Sequence, residues 1–204
     1  MAYSDFTLYN VRQQFGVSLQ VEKLFTESVS VEPTEWLRQS IRMGLIVGVS
    51  NERARAERLV TPVMLELCAR NDCTFSVHSA TASAATQVSG GNNSFTCSLN
   101  HLQDFITTPV FLVVDTCYRE TDGELLPLFQ QLIAARRLNE FEGNPTQPLY
   151  GCSTTGVEWR FLKYEGTEFI LDENRYYLAQ LPALLGALQA IVDATRVAAL
   201  SSPS

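Results

Sequence analysis

Between Pro109 and Asp115 the chain runs Val-Phe-Leu-Val-Val, five consecutive apolar residues with no polar position among them. Such a run is too short for a helix of its own and has no polar face to show to water. It therefore reads as a β-strand buried on both sides. A strand of that kind needs a packed layer above and below it, which restricts the chain to a sheet sandwiched between helices. The neighbouring segments supply those layers. Thr74–His78 alternates as one strand and Ser94–Leu99 forms a second, so the apolar run is the third. Glu124–Phe141 is a helix whose broad apolar side is built from Leu125, Leu128, Phe129, Leu132, Ile133 and Ala135. Pro148–Thr155 and Val157–Tyr164 are strands joined at Gly156, and Thr167–Leu171 follows after Glu165-Gly166. Leu181–Leu200 is a closing helix, strongly apolar on one side.

Upstream of the first strand the pattern is less regular. Residues 1–33 read as a loosely structured lead-in, closed by Val31-Glu-Pro33. Thr34 caps a short helix that stops at Gly44, with Trp36, Leu37 and Ile41 on one face. Leu45–Val49 is a brief apolar strand or buried link. Ser50 caps a longer helix from Asn51 to about Ala69, carrying the stripe Leu59, Val63 and Leu67 and kinked by Pro62. Ser79–Asn93, rich in Ser, Ala, Thr, Gly and Asn, reads as a hairpin loop or insertion. No repeat or linker divides the chain. The expected organisation is an N-terminal extension with a short helix over 1–44, one domain over 45–200, and a frayed tail over 201–204. The element order helix, three strands, helix, strand describes an α/β sandwich with a mixed sheet.

Charge narrows the partners. Fifteen basic against 22 acidic residues give a net charge of −7, and only Lys23 and Lys163 are lysines. Nucleic-acid binding draws most of its non-specific affinity from clustered Lys and Arg, so this balance argues against it. The five cysteines form no CxxC pair or finger spacing and read as free buried thiols. The chain opens without a basic start followed by an apolar stretch, and its longest apolar runs fall well short of the ~20 residues that span a bilayer. A cytoplasmic location with no transmembrane segment is the expectation.

Four segments resemble a known family. NERARAERLVTPVMLEL (51–67), PVFLVVD (109–115), LIAARRLNE (132–140) and LYGCSTTGVEWRFLKYEG (149–166) are similar to small cyanobacterial proteins of the PD-(D/E)XK, restriction-endonuclease-like superfamily. The resemblance runs from about residue 45 to 195 and implies an αβββαβ core with a mixed central sheet flanked by helices. In that superfamily an Asp at the start of one strand and a Glu or Asp at the end of the next hold Mg²⁺. A Lys two residues later orients or activates the attacking water, and a Glu from the first helix often assists. Hard carboxylate oxygens suit Mg²⁺, and the bound metal lowers the pKa of water and neutralises charge growing on the phosphate.

Carried over one position at a time, the constellation is incomplete. Glu57 matches the helical acid, although by itself it reads as a solvated helix glutamate. The first strand's Asp falls at Cys97. Asp115 fills the acid position of the next strand, but the lysine position is Cys117. The helix positions that often hold Gln and Glu fall at Pro127 and Gln131. Lys163 belongs to a later strand and Lys23 precedes the core, so neither replaces the lysine. Groups that act as one constellation fail as a unit. The resemblance therefore implies a non-catalytic domain with remnant positions Glu57, Cys97, Asp115, Cys117 and Gln131. It implies no cofactor, and no metal beyond weak cation candidates at Glu57 and Asp115. The implied partner is another protein, related to photosynthesis or the thylakoid by the cyanobacterial resemblance alone.

Two other readings stay open. A Mg²⁺-dependent nuclease would use Glu57, Asp115 and a further acid such as Asp104. A thiol site would use Cys97 and Cys117, whose positions converge in the family, as a disulfide, a soft-metal site or a covalent attachment point. The plainer account of those cysteines is small, mildly apolar filling of a buried cleft. His78 and His101 stand alone, with no nucleophile motif beside them. Ser89-Gly-Gly-Asn-Asn93 lacks the Lys-Ser/Thr ending of a phosphate loop and reads as a turn. Arg53, Arg55 and Arg58, with Arg136 and Arg137, read as solvated helix faces or a patch for an anionic protein. Apolar excess along Leu184–Leu200 offers a homodimer seam or a docking face.

Overall fold

The computed structural model describes residues 16–26, 29–79, 93–99, 107–117, 125–144 and 148–201. Expectations placed on 80–92, on His101 and Asp104, and on 202–204 lie outside the described residues. In order, the elements are β1 (Ser18–Glu22), α1 (Glu35–Val47), α2 (Glu52–Arg55), a π-helical turn (Ala56–Val60), α3 (Thr61–Arg70), β2 (Ser76–Ser79), β3 (Ser94–Ser98) and β4 (Val110–Thr116). There follow α4 (Leu125–Phe141), β5 (Leu149–Thr154), β6 (Glu158–Glu165), β7 (Glu168–Asp172), β8 (Tyr176–Tyr177) and α5 (Leu181–Ser201). One sheet runs β1-β7-β6-β5-β4-β3-β2, with β8 added beside β6. β1 is parallel to β7 and β4 is parallel to β5, and the other neighbouring pairs are antiparallel. The chain is an α/β protein with a mixed central sheet flanked by helices.

Each face of the sheet carries its own core. On one, Leu37, Leu59, Val63, Leu67, Leu184 and Leu188 from the helices pack on Phe95, Leu112, Val114, Trp159 and Phe161. On the other, Leu128, Phe129 and Leu132 of α4 pack on Val113, Leu149, Leu162 and Phe169. β4 lies between them and is buried at every position, which is why its sequence has no polar face. Leu178–Ala199 is long and apolar enough to cross a membrane by length and composition, and 56% of its most apolar window is buried within the protein. Gly186 permits that burial, because a Cβ there would sit 2.4 Å from the Val29 carbonyl oxygen.

Several local expectations are corrected. The lead-in supplies β1, and behind it Phe25 enters the core to meet Phe161 and Tyr176 edge-on at 5.6 and 6.0 Å. Its pattern was illegible because β1 is a sheet edge on which Gln20, Val21 and Glu22 are all exposed. α1 does begin at Thr34, whose hydroxyl accepts from the Leu37 N–H at 3.3 Å. It runs through Gly44, however, and ends at Gly48, where φ is 96°. Gly44 is a contact glycine instead of a stop: a Cβ there would lie 2.7 Å from the Arg58 carbonyl oxygen. Leu45–Val47, expected as a strand or buried link, are the exposed last turn of α1, and Trp36 is exposed as well. The next helix is capped by Asn51, not Ser50, through a 2.8 Å bond from the Ala54 N–H. The disturbance expected at Pro62 takes the form of the π-helical turn, in which the Thr61 N–H reaches back to the Ala56 carbonyl.

A buried carboxylate ties α1 to α3. Glu66 accepts from the Thr34 N–H at 3.0 Å, the Thr34 hydroxyl at 2.6 Å and Arg70 Nε at 2.8 Å. Burial pushes the Glu66 pKa up, but these donors together outweigh it and hold the group below the ordinary carboxylate range. A depressed folded pKa contributes stability that is complete above the unfolded value, about 4.3, and is lost as pH falls through the folded one. Glu66→Ala is expected to cost about 2–4 kcal/mol at pH 7. The gap should narrow on acidification below about pH 4, and denaturant unfolding at pH 7 and pH 3 measures both effects.

Candidate functional site

The register of β3, β4 and β5 decides what surrounds Asp115. Its partner on β3 is Ser94 and its partner on β5 is Ser153. Residues paired across neighbouring strands point to the same face, so two hydroxyls flank one carboxylate. That face is the one α4 covers: Gln131 Nε2 donates to Asp115 Oδ1 at 3.1 Å. Asp115 is 9% exposed and Gln131 only 2%. Gln131 Oε1 is buried and finds no donor among the described residues. Cys117 closes the end of the layer, its N–H bonded to the Thr154 carbonyl at 2.8 Å and its thiol 3.6 Å from Ser153 Oγ.

The layer gathers three of the expected positions, Asp115, Cys117 and Gln131, and adds Ser94 and Ser153, which the sequence reading missed. Cys97 is not part of it. It pairs with Leu112 and lies in the apolar core on the opposite face, where burial pushes its thiol pKa well up. From Leu112 to Cys117 is roughly 16 Å along the strand at about 3.3 Å per residue. Cys97 and Cys117 therefore do not meet, and a disulfide or shared soft-metal site between them is ruled out by position. The residue facing Asp115 across the hairpin is Ser94. Ser94 and Cys97 lie three residues apart and so on opposite faces of β3, in a stretch where the register with β4 is regular.

Glu57 lies elsewhere. It stands in the π-helical turn and lines a cleft of about 560 Å³ with Arg53, Thr61, Ser79, Asn93, Ser94 and Phe95. It pairs with Arg53 at 2.8 Å, both side chains in solvent. Asp115 does not line that cleft; Ser94 is the one residue shared by cleft and layer. Pro127 sits exposed in the first turn of α4, where a missing N–H costs nothing.

The remaining candidates act as struts. His78 Nε2 is 3.0 Å from Ser76 Oγ, which lies 2.7 Å from Ser98 Oγ, and burial pushes the histidine below its ordinary range. Lys163 pairs with Glu165 at 2.6 Å on β6, and Lys23 is exposed beyond β1. The arginines depart from the expected solvated faces. Arg55 donates to the Thr155 carbonyl at 2.8 Å and Arg58 to the Gly48 carbonyl. Arg136 donates to Glu140 at 2.9 Å and to the Gly166 carbonyl, and lies over the Tyr164 ring at 5.0 Å. Arg53 and Arg137 are the exposed members.

No family model, curated protein or solved structure matches the chain. What the site can do is therefore argued from its own chemistry. Among the described residues, the side chains placed beside Asp115 carry two hydroxyls, an amide and a thiol. Mg²⁺ wants a near-octahedral set of hard oxygens, and thiols are soft ligands. Among the described residues no group of three or more His, Cys, Asp or Glu side chains is placed to hold a metal ion. The layer as built does not fit a two-carboxylate Mg²⁺ centre.

A second feature faces outward. The C-terminal half of α1 carries Met43, Leu45, Ile46 and Val47 at 57, 49, 66 and 64% exposure, with Trp36 at 50%. Trp36, Met43 and Val47 are seven and four residues apart and share one stripe of the helix. Single exposed apolar residues are ordinary, whereas a contiguous set marks an interaction surface.

Proposed function

We propose that the chain is a non-catalytic domain of the nuclease-like kind its sequence resembles, working as a protein-binding or assembly module in the cytoplasm. The observation that carries this reading is the exposed apolar end of α1, Met43 to Val47, which points away from both cores. The layer at Asp115 supports it. A two-carboxylate Mg²⁺ site needs a second acid beside the first, and the side chain bonded to Asp115 Oδ1 under α4 is the amide of Gln131. Nucleic acid is a poor fit as partner, because the net charge is −7 and most of the candidate arginines clamp backbone carbonyls.

Ile46→Glu combined with Val47→Glu tests the reading, because both side chains are exposed and the fold should tolerate the change. Native pull-down should recover a stoichiometric partner protein with the wild type and lose it by about tenfold or more with the variant. Thermal unfolding should stay unchanged. If the wild type is itself dimeric by sedimentation, the same variant should dissociate it, which would make the partner a second copy. Full retention of the partner by the variant would remove α1 as the binding face, and recovery of none by the wild type would overturn the module reading.

A further inference from the structure

The exposed side of α1 is complementary to a copy of itself. Trp36, Met43 and Val47 form one stripe of the helix with Ile46 beside it, and all four are exposed. Glu35 and Arg42, exposed as well, flank one side of that stripe seven residues apart. Trp36 and Met43 have the same seven-residue spacing. Two helices laid antiparallel about a two-fold axis present the same flank to each other, so residues equally far from the axis on either side meet across it. The midpoints of Glu35–Arg42 and Trp36–Met43 both fall beside Gln39, one on each side of it. An axis at Gln39 therefore sets Glu35 beside Arg42 of the second copy and Trp36 against Met43 of the second copy, each contact occurring twice. Helical side chains lean toward their own N-terminus, which carries the Trp36 ring on toward Val47 of the second copy.

We propose that the partner of this face is a second copy of the chain, held in a two-fold dimer by α1 against α1. The proposal rests on the binding-module reading and names its partner. Trp36, Met43, Leu45, Ile46 and Val47, each about half to two-thirds exposed, leave on the order of 400 Å² of apolar surface in solvent. A standard interface takes about 800 Å² from each partner, a little over half of it apolar, or roughly 450 Å². The exposed side of α1 therefore supplies most of the apolar area that a stable dimer needs. Charge does not oppose the contact. The whole chain carries −7, but α1 carries Glu35 against Arg38 and Arg42, so the two surfaces that meet are not both acidic. The apolar side of α5 cannot serve instead, because Leu184, Leu185, Leu188, Ile191 and Val192 are buried in the core.

Sedimentation of the purified chain should show a dimer at micromolar concentration. Glu35→Arg places a guanidinium beside Arg42 of the second copy, and Arg42→Glu places a carboxylate beside Glu35 of the second copy. Each variant should weaken the dimer about tenfold in low salt. Mixed one to one, the two variants should pair with each other at close to the wild-type affinity, because both flanking contacts then join opposite charges. Both positions are exposed, and circular dichroism checks that each variant is folded. Variants that dissociate but fail to pair when mixed would overturn the proposal, and so would variants that stay as dimeric as the wild type. A wild type that is monomeric at about 100 μM would overturn it too. If that monomer still captures a different protein, and loses it in Ile46→Glu with Val47→Glu, the dimer falls and the module reading stands. A monomer that captures nothing removes both.

Discussion

Gln131→Glu is expected to destabilise the protein by about 2–4 kcal/mol at neutral pH, although it changes one amide nitrogen to oxygen. In the wild type Gln131 Nε2 donates to Asp115 Oδ1 at 3.1 Å, with both side chains buried. Two carboxylates at that separation cannot both ionise cheaply, so one pKa rises well above its unfolded value. A carboxyl group whose folded pKa is raised is penalised as pH climbs past the unfolded value, and the penalty levels off above the folded one. The variant should therefore lie close to the wild type at pH 4 and fall behind it by pH 8. Mg²⁺ or Mn²⁺ should restore part of the loss, because a cation between two carboxylates neutralises them and binds only the folded form. Denaturant unfolding at both pH values, with and without metal, measures each effect. A variant as stable as the wild type at pH 8 without metal would mean that Asp115 and residue 131 do not face one another.

Asn139→Ala should cost about 2–5 kcal/mol, because it orphans two buried backbone groups at once. The Asn139 side chain receives the Val110 N–H at 2.8 Å and donates to the Val110 carbonyl at 2.8 Å, joining α4 to the first residue of β4. Asn139→Asp keeps the acceptor and turns the donor into an oxygen facing a carbonyl. It should be nearly as damaging at pH 7 and milder in acid, where the protonated carboxyl can donate again. Chemical denaturation gives the stabilities. Amide exchange at Val110, fast in Asn139→Ala and slow in the wild type, locates the effect.

The strands and helices that surround the site were legible where burial imposes a period. The unbroken apolar run of β4 and the apolar side of α4 report directly that they lie between layers. β1 and the last turn of α1 were not, because period reports burial and Val21, Ile46 and Val47 are apolar residues in solvent. The contact of Asp115 with Gln131 entered only through the family resemblance. Nothing in the chain between them signals that α4 returns over β4 in that register. Ser94 was passed over because the resemblance placed the strand position at Cys97, whereas the alternation of Ser94, Thr96 and Ser98 with Phe95 and Cys97 puts Cys97 on the other face.

The proposed reading takes Asp115 as a member of a buried polar layer and not of a metal centre. Calorimetric titration of Mg²⁺ and then Mn²⁺ into the reduced protein, with Asp115→Ala as control, tests it most directly. The account predicts no saturable heat in the millimolar range and identical traces for the two proteins. Saturable binding by the wild type that Asp115→Ala abolishes would contradict it.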